Sequence, residues 1–491
     1  MTTPTRPHRL SKSRFVAGVQ CHKLLWWKVH EPKAEELQPD VVLQDRFNQG
    51  RQVGELAQAR FPGGVLINFP YHEVDAKIAA TKAALDDGAS AIFEASFLAD
   101  DVFVAVDVLE RNGDGFTLIE VKSSSSQKDE HITDAAIQTH VLRRCGITVQ
   151  YAEIMHLNRE FRFPDEGDLF QRTDVTTPVE QMLGEVSDEI ARQLDAVGGP
   201  LPEVAIGAHC FEPRACPFMK RCWPDSPRHI GKLYDVGAKK TVQYMADGVH
   251  TMDDIPPEKK LPAAARRQLR AMEEDRLIVE PGLAEALEPF NVRLGYLDFE
   301  TIARAVPVWP GMGPWHQAAT QYSYHEAVGD GTYSHSEFLA EGPEDARPIL
   351  AEAMIEATAN AERVLMYSSF ERTQIRALKQ AVPHLEQELA ALDEKLIDLL
   401  PVVRNYVYHP GFQGSFSLKY ILNPLVPELT YNDLVIVDGL VASVKIARLL
   451  FVAGKIQPDQ IEQTRQDLLE YCKRDTWGTV KLLERLRELA G

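Results

Sequence analysis

Residues 102–123 read VFVAVDVLERNGDGFTLIEVKS, and this stretch decides the fold of the first half of the chain. Two β-rich runs, residues 102–110 and 116–123, flank the turn sequence RNGDG, so the stretch predicts a β-hairpin. A predicted helix over about 131–144 and a predicted strand near 148–156 come next. Helices that alternate with paired strands in this way indicate an α/β module built on a mixed sheet.

The hairpin carries charged side chains inside apolar runs. Because side chains alternate along a strand, Glu120 and Lys122 share one face, and Asp107 of the neighbouring strand can join them. Two carboxylates and one ammonium suit phosphodiester hydrolysis, since carboxylates hold Mg²⁺ or Mn²⁺ and a lysine can position water or neutralise a phosphate. The predicted helix that follows carries Asp134 and Gln138 at i, i+4. The alternative is a surface hairpin with an ordinary ion pair.

On these residues the chain resembles the RecB-like branch of the PD-(D/E)xK nuclease superfamily. The resemblance implies a restriction-endonuclease-like mixed sheet in which Asp107 and Glu120 are catalytic metal ligands. It also implies catalytic roles for Lys122 and for Gln138, which matches the glutamine that this branch carries on the next helix. Where the branch offers a histidine on an upstream helix, this chain has Glu55, and Glu94 is a further candidate ligand.

Four of the six cysteines form a pattern. Cys210, Cys216 and Cys222 are separated by five residues twice, Cys21 lies far upstream, and the short C-x₂₋₄-C pairs of zinc sites do not occur. Cys216 precedes a proline, as ferredoxin ligands often do, so four thiolates favour a [4Fe–4S] cluster over zinc, which stays the alternative. Iron–sulfur members of the RecB-like family likewise place one cysteine before the nuclease core and three after it, which implies a cluster that staples the domain.

A second α/β pattern begins near residue 291. The run LGYLDFET predicts a buried strand with Asp298 and Glu300 on one face, and two carboxylates in an apolar strand are unfavourable unless they bind a cation. Far downstream, Tyr471 and Asp475 are spaced i, i+4 on a predicted helix, so their side chains meet on one face.

This second pattern resembles the DEDD exonucleases, in the tyrosine subclass of that RNase H-like family. The resemblance implies two Mg²⁺ or Mn²⁺ ions bound by Asp298, Glu300 and Asp475, with Tyr471 orienting the attacking water. Glu371, in VLMYSSFERTQ, is the candidate for the fourth metal ligand, and Asp398 is the alternative. An inactive RNase H-like domain kept for binding is the competing interpretation.

Composition restricts the partners. With 53 Lys+Arg against 72 Asp+Glu the formal charge is −19, so contacts with nucleic acid must be local. Residues 1–30 contain no Asp or Glu and supply six cations: Arg6, Arg9, Lys12, Arg14, Lys23 and Lys28. Six cysteines in 491 residues exclude a disulfide scaffold, and we find neither a secretory signal nor an 18-residue apolar run. We therefore expect a cytoplasmic protein with no membrane partner.

The sequence thus predicts two α/β modules joined by a helical element: a nuclease domain over 1–225, a helix-hairpin-helix-like linker over 226–290 and a 3′-5′ exonuclease domain over 291–491. As a whole it resembles a bacterial family that fuses an iron–sulfur RecB-like nuclease to an RNase H-like domain. The resemblance implies an exonuclease acting on DNA with single-stranded ends, in DNA repair or in defence against foreign DNA. RNA 3′-end processing and binding of nucleic acid without cleavage are the alternatives.

Overall fold

The computed structural model describes residues 9–164, 166–329 and 331–491, and of Lys455 only the backbone. Arg6 and the rest of residues 1–8 of the predicted basic segment lie outside the described residues. The chain divides into two compact units, and the main division lies between Pro224 and Asp225. Unit 1 comprises the chain up to Pro224 with Ala305–Val308 and Met312–Trp315, and unit 2 comprises Asp225–Arg304, Trp309–Gly311 and His316–Gly491.

Unit 1 is an α/β module. Its strands are β1 (Leu10–Ser11), β2 (Val65–Leu66), β3 (Ala91–Ala99), β4 (Val102–Asn112), β5 (Gly115–Lys122), β6 (Val149–Leu157) and β7 (Phe170–Asp174). Its helices are α1 (Lys12–Gln20), α2 (His22–His30), α3 (Val41–Gln58), α4 (Val74–Asp86), α5 (Asp129–Arg144), α6 (Thr176–Gly198) and α7 (Met219–Cys222).

These strands form one seven-stranded sheet in the order β2-β3-β4-β5-β6-β7, and β1 pairs with β4. The predicted hairpin is confirmed: β4 and β5 are antiparallel, with Asn112 opposite Gly115 at the turn. α5 is the crossover between β5 and β6, which are parallel, so the sheet is mixed as predicted.

Apolar alternation and helix packing build the core of unit 1. Val104 and Val106 of β4 are fully buried in a cluster that also contains Phe15 of α1 and Ile137 of α5. The amide Nε2 of Gln193 on α6 donates to the carbonyl of Phe15 at 2.9 Å, which ties α6 to α1. α1, α5 and α6 thus pack together, and the start of α1 is held at the sheet by the pairing of β1 with β4.

Unit 2 is a second α/β module. Its strands are β8 (Ile278–Val279), β9 (Leu294–Ala303), β10 (Gln317–Gly329), β11 (Thr332–Leu339), β12 (Arg363–Met366), β13 (Leu396–Asp398) and β14 (Val407–Tyr408). Its helices are α8 (Ala238–Ala246), α9 (Ala263–Glu274), α10 (Leu283–Leu287), α11 (Arg347–Ala357), α12 (Phe370–Ala381), α13 (Glu386–Lys395), α14 (Leu400–Tyr406), α15 (Leu418–Leu425), α16 (Gly439–Val452) and α17 (Pro458–Ala490).

The main sheet of unit 2 has five strands in the order β11-β10-β9-β12-β13. β9, β10 and β11 form an antiparallel meander, whereas β12 and β13 run parallel to β9. Leu297 and Phe299 of β9 are buried with α11, α12 and α13 on one face. The other residues of β9 alternate towards the opposite face, where α17 packs against β9 and β10.

The helical segment from residue 225 to 290 packs within unit 2. The backbone of Gly414, at φ +80°, lies so close to the Lys232 carbonyl that a Cβ there would be 2.1 Å from it. Gln268 of α9 donates to the same carbonyl at 2.8 Å and accepts from the Tyr234 amide at 2.7 Å. The rings of Tyr234 and Phe416 meet edge to face, with centroids 5.1 Å apart. Among the described helices, none is long and apolar enough to cross a membrane.

Candidate active centres and cysteine site

The first candidate centre lies on β4 and β5 of unit 1, where α5 covers them. Glu120 is 1% exposed, and its Oε1 accepts from Nζ of Lys122 at 2.7 Å while its Oε2 accepts from Nε2 of Gln138 at 2.8 Å. Nζ of Lys122 also donates to Oδ2 of Asp134 at 2.6 Å. Asp107 accepts from the Val121 amide at 2.7 Å. The register that pairs Val108 with Ile119 brings Asp107 beside Glu120, so the predicted residues meet in one place.

Lys12, the first residue of α1, adds a second ammonium group to this centre. Its Nζ donates to Oε1 of Glu120 at 2.8 Å and lies 3.9 Å from Oδ2 of Asp134. Sequence reasoning placed Lys12 only in a basic N-terminal segment. Lys12 and Glu120 are 108 positions apart, and no periodic pattern in the sequence relates residues at that separation.

The charges of the first centre are tightly coupled. Burial, followed by the neighbouring charge of Glu120, raises the pKa of Asp107 to about 7. Burial would also raise the pKa of Glu120, but the ammonium groups of Lys12 and Lys122 outweigh it and lower that pKa. Burial raises the pKa of Glu94 on the adjacent strand β3. Burial likewise raises the pKa of Asp134, so four carboxyl groups face two ammonium groups and three of the four have raised pKa values. A divalent cation would favour the ionised form of these carboxyl groups, so the centre suits one.

Other candidates of unit 1 differ in position. Glu94 is partly buried, and its φ of +58° lies in the left-handed region. It lies on β3 between the two residues of that strand that pair with Val108 and Val106 of β4. Non-glycine residues in that region are strained, and such strain occurs preferentially at functional sites. Glu55 is exposed on α3. Oε1 of Gln138 is buried without a hydrogen-bond partner, which leaves one acceptor of the centre unused.

The second candidate centre lies on the face of β9 that α17 covers. Asp298, Glu300 and Asp475 each offer an oxygen, and these atoms all lie within 4.8 Å of one another. Strand alternation brings Asp298 and Glu300 to one face, and the contact of α17 with β9 adds Asp475. Burial and then the charge of Asp475 raise the pKa of Asp298 well above its ordinary value, and burial and then Asp298 do the same to Glu300.

Two tyrosines and a lysine surround these carboxylates. Tyr471 is 2% exposed, one helical turn before Asp475, and it lowers the pKa of that carboxyl group, although burial raises it more. The Tyr431 hydroxyl donates to Oδ1 of Asp475 at 2.5 Å. Nζ of Lys419 on α15 lies 5.1 Å from the ring centroid of Tyr471 and 5.6 Å from that of Tyr431. Its positive charge lowers the pKa of Asp298, Glu300 and Asp475, although less than burial raises it. Sequence reasoning missed Tyr431 and Lys419.

The two candidates for the fourth ligand behave differently. Glu371 of α12 is 3% exposed, and its Oε2 is buried without a hydrogen-bond partner. Burial, followed by the charge of Asp298, raises its pKa well above the ordinary value. Oδ1 of Asp398, by contrast, accepts from the amides of Ser368 at 3.1 Å and Leu400 at 2.9 Å. A bound cation would give the Glu371 oxygen a partner, and it would offset the repulsion that helps to raise the pKa of Asp298, Glu300 and Glu371. These residues therefore fit a divalent metal ion.

A cleft of about 590 Å³ opens beside the second centre. Asp298, Glu371 and Asp475 line it on one side. Two cations and three aromatic side chains also line it, namely Arg404, Lys419, Tyr234, Tyr367 and Phe416. A groove that combines cations with aromatic faces can contact phosphates and stack bases. Tyr234 comes from the helical segment 225–290, which therefore forms part of this cleft.

The four predicted cysteines line one small pocket of unit 1. Cys21 lies between α1 and α2, Cys222 ends α7, and Cys210 and Cys216 lie in the loop before α7. All four are free thiols. Burial raises the pKa of Cys21 and of Cys216, and the neighbouring thiols add to it. Four free thiols gathered from distant parts of the chain, with Trp27 and Phe218 packed beside them, fit a thiolate-bound metal group.

Comparison with known families adds one finding. The model of a domain of unknown function, DUF2779, matches residues 295–417. The matched range includes Asp298, Glu300 and Glu371 and ends before Tyr471 and Asp475. No curated protein matches the chain.

Proposed function

We propose that the protein is a metal-dependent nuclease with two hydrolytic centres, which degrades DNA from single-stranded ends. The observation that carries the proposal is the acidic triad of unit 2, in which oxygens of Asp298, Glu300 and Asp475 lie within 4.8 Å of one another and Tyr471 lies beside them on the same helix as Asp475. Three carboxylates and a tyrosine placed in this way are suited to two-metal phosphodiester hydrolysis.

The sheet of unit 2 supports an RNase H-like fold. Three antiparallel strands followed by two parallel ones, in the order β11-β10-β9-β12-β13, put β9 at the centre with its carboxylates under α17. In this proposal Asp298, Glu300, Asp475 and Glu371 hold the metal ions. The Tyr471 hydroxyl orients the attacking water, and the ammonium group of Lys419 offsets negative charge on the phosphate.

The mixed sheet of unit 1 supports a PD-(D/E)xK fold. The β4–β5 hairpin carries Asp107, Glu120 and Lys122, and the crossover helix α5 delivers Gln138 to Glu120. In this proposal Asp107 and Glu120 hold a metal ion, Lys122 stabilises charge on the phosphate and Gln138 fixes the Glu120 carboxylate. At both centres a divalent cation, when bound, lowers the pKa of water and neutralises charge that develops on the phosphate.

The test is the cleavage of end-labelled single-stranded DNA and RNA, and of circular single-stranded DNA, in the presence of Mn²⁺. We expect wild-type protein to shorten labelled linear DNA, to leave the circle intact and to cut RNA more slowly. Glu120→Ala and Asp298→Ala should each reduce the cleavage, and the double variant should be inactive. Because an exonuclease needs an end, the circle separates it from an endonuclease.

Other outcomes select the alternatives. Faster shortening of RNA than of DNA would identify an RNA-processing enzyme. Binding of either polymer without metal-dependent cleavage would identify a binding protein and contradict the nuclease proposal. Residual cleavage by the double variant at the wild-type rate would show that a contaminant or a different site is responsible.

We further propose that Cys21, Cys210, Cys216 and Cys222 hold a [4Fe–4S] cluster that joins the two ends of unit 1. The free energy of assembling such a group is available for folding, because the ligands come from segments that are far apart in the chain. Arg221, which is next to Cys222, forms an ion pair with Glu36 and also contacts Glu31. Both contacts connect the same two parts of unit 1.

The cluster gives a spectroscopic prediction. Protein purified without oxygen should be brown, absorb broadly near ~400 nm and contain about four iron atoms per chain. Cys216→Ser should lose the colour and most of the iron, whereas Cys145→Ser, at an exposed cysteine outside the pocket, should keep both. Colourless wild-type protein with stoichiometric zinc would contradict the cluster and support the zinc alternative.

A further inference from the structure

Lys12 occupies a position in the first centre that the proposed chemistry does not use. The pairing of Leu10 with Val102 and of Ser11 with Phe103 fixes the chain immediately before it. Ser11 caps α1 by accepting from the Arg14 amide, so the helix begins at Lys12 in a defined place. Its side chain, 23% exposed, then reaches Oε1 of Glu120 at 2.8 Å.

Both oxygens of Glu120 are thereby occupied by the protein's own donors. Oε1 accepts from Lys12 at 2.8 Å and from Lys122 at 2.7 Å, and Oε2 accepts from Gln138 at 2.8 Å. A cation that binds Glu120 must therefore displace one of these donors or share an oxygen with it.

Lys12 is the donor that is held least firmly. Lys122 also donates to Oδ2 of Asp134 at 2.6 Å, and Gln138 also donates to the Asp134 carbonyl at 3.0 Å. Each of these two side chains therefore keeps a hydrogen-bond partner when a cation binds Glu120. The second carboxylate contact of Lys12, with Asp134, is 3.9 Å long. The side chains of Lys12 and Lys122 are about equally exposed, at 23% and 22%, so the difference between them lies in their carboxylate contacts. The four-carbon stem of Lys12 is flexible, so its ammonium group can turn to solvent when a cation takes its place.

We propose that Lys12 is a built-in competitor of the divalent cation at Glu120 and sets the metal affinity of the first centre. The proposal rests on the proposed function, because it takes Glu120 to be a metal ligand. In the metal-free protein Lys12 compensates the charge of Glu120, and the ammonium group moves away when a cation binds. The first centre therefore becomes active only above a threshold metal concentration that Lys12 determines.

The test measures Mn²⁺ binding directly, by the electron paramagnetic resonance signal of free Mn²⁺, in the full-length protein. Asp298→Asn and Asp475→Asn are present throughout, so that only the first centre is observed. Lys12→Gln should bind Mn²⁺ about tenfold more tightly, since one competing charge in contact with the ligand is removed. Lys12→Arg keeps the charge and should stay within about twofold of the parent protein.

Two controls separate the possible failures. Lys82→Gln removes a positive charge at an exposed position of α4 and should leave the affinity unchanged. Glu120→Gln should abolish the binding. If Glu120→Gln abolishes binding but Lys12→Gln binds Mn²⁺ no more tightly than the parent, the role of Lys12 is contradicted and the nuclease proposal stands. If no variant shows Mn²⁺ binding that depends on Glu120, the role of Lys12 and the nuclease proposal are both contradicted for this centre.

Discussion

Replacing Asp475 by asparagine should lower the cleavage rate of the second centre by about a thousandfold or more. Asp475 is one of three carboxylates within 4.8 Å and accepts from the Tyr431 hydroxyl, so the change removes a charge and disturbs that hydrogen bond. The measurement is the cleavage of labelled single-stranded DNA in a Glu120→Gln background, which silences the first centre. Glu462→Gln, at an exposed position of the same helix, is the matched control and should keep the rate.

Thermal unfolding gives an independent measurement of the same variant. Burial raises the pKa of Asp475, and its charge contributes to the raised pKa of Asp298, so ionised carboxylates at neutral pH destabilise the metal-free fold. Without metal, Asp475→Asn should therefore melt above its parent, whereas added Mn²⁺ should stabilise the parent much more than the variant. If the variant keeps both the cleavage rate and the stabilisation by Mn²⁺, Asp475 is not part of the catalytic centre.

Replacing Lys122 by alanine should lower the cleavage rate of the first centre by about a thousandfold while Mn²⁺ still binds. The ammonium group of Lys122 contacts Glu120 and Asp134, and we place it beside the phosphate during hydrolysis. The rate is measured in the Asp298→Asn background, and Mn²⁺ binding is measured in the same protein. Lys82→Ala is the control for the loss of one surface charge.

Glu120→Gln should differ from Lys122→Ala by losing both cleavage and Mn²⁺ binding. This contrast identifies Lys122 as a residue of the chemical step and Glu120 as a ligand. Wild-type cleavage by Lys122→Ala would contradict the PD-(D/E)xK interpretation of unit 1 and leave its carboxylates without a catalytic role. The matched control for Glu120→Gln is Glu185→Gln, at an exposed position of α6.

Local periodicity explains which parts of these centres the sequence could predict. Strand alternation identified the shared face of Glu120 and Lys122 and of Asp298 and Glu300. Helical spacing likewise identified Tyr471 with Asp475. The β4–β5 hairpin followed from its turn residues, and the two α/β modules followed from the order of the elements.

The missing members of the centres come from distant parts of the chain. Lys12 lies 108 residues from Glu120, and Tyr431 lies 44 residues from Asp475, so neither contact has a local spacing that predicts it. Cys472 follows Tyr471 directly, yet only the packing of α17 on β9 shows that its Sγ lies 3.4 Å from Oδ2 of Asp298. Such contacts depend on how distant segments of the chain pack together, and local residue spacing does not show that.

The helices α1 and α2 also set a constraint on how unit 1 is synthesised. His22 and Trp26 bond Glu189 and Gly199, and Trp27 packs against Phe218, so the partners of these helices emerge from the ribosome long after them. Cys21 precedes Cys222 by about 200 residues. At translation rates of about 5–20 residues per second, Cys222 is therefore synthesised roughly 10 to 40 s after Cys21. Until Phe218 is synthesised, Trp27, which is 6% exposed in the folded unit, lacks that packing partner. A nascent chain that stalls before Phe218 therefore exposes the apolar side chain of Trp27, and exposed apolar surface of this kind favours aggregation.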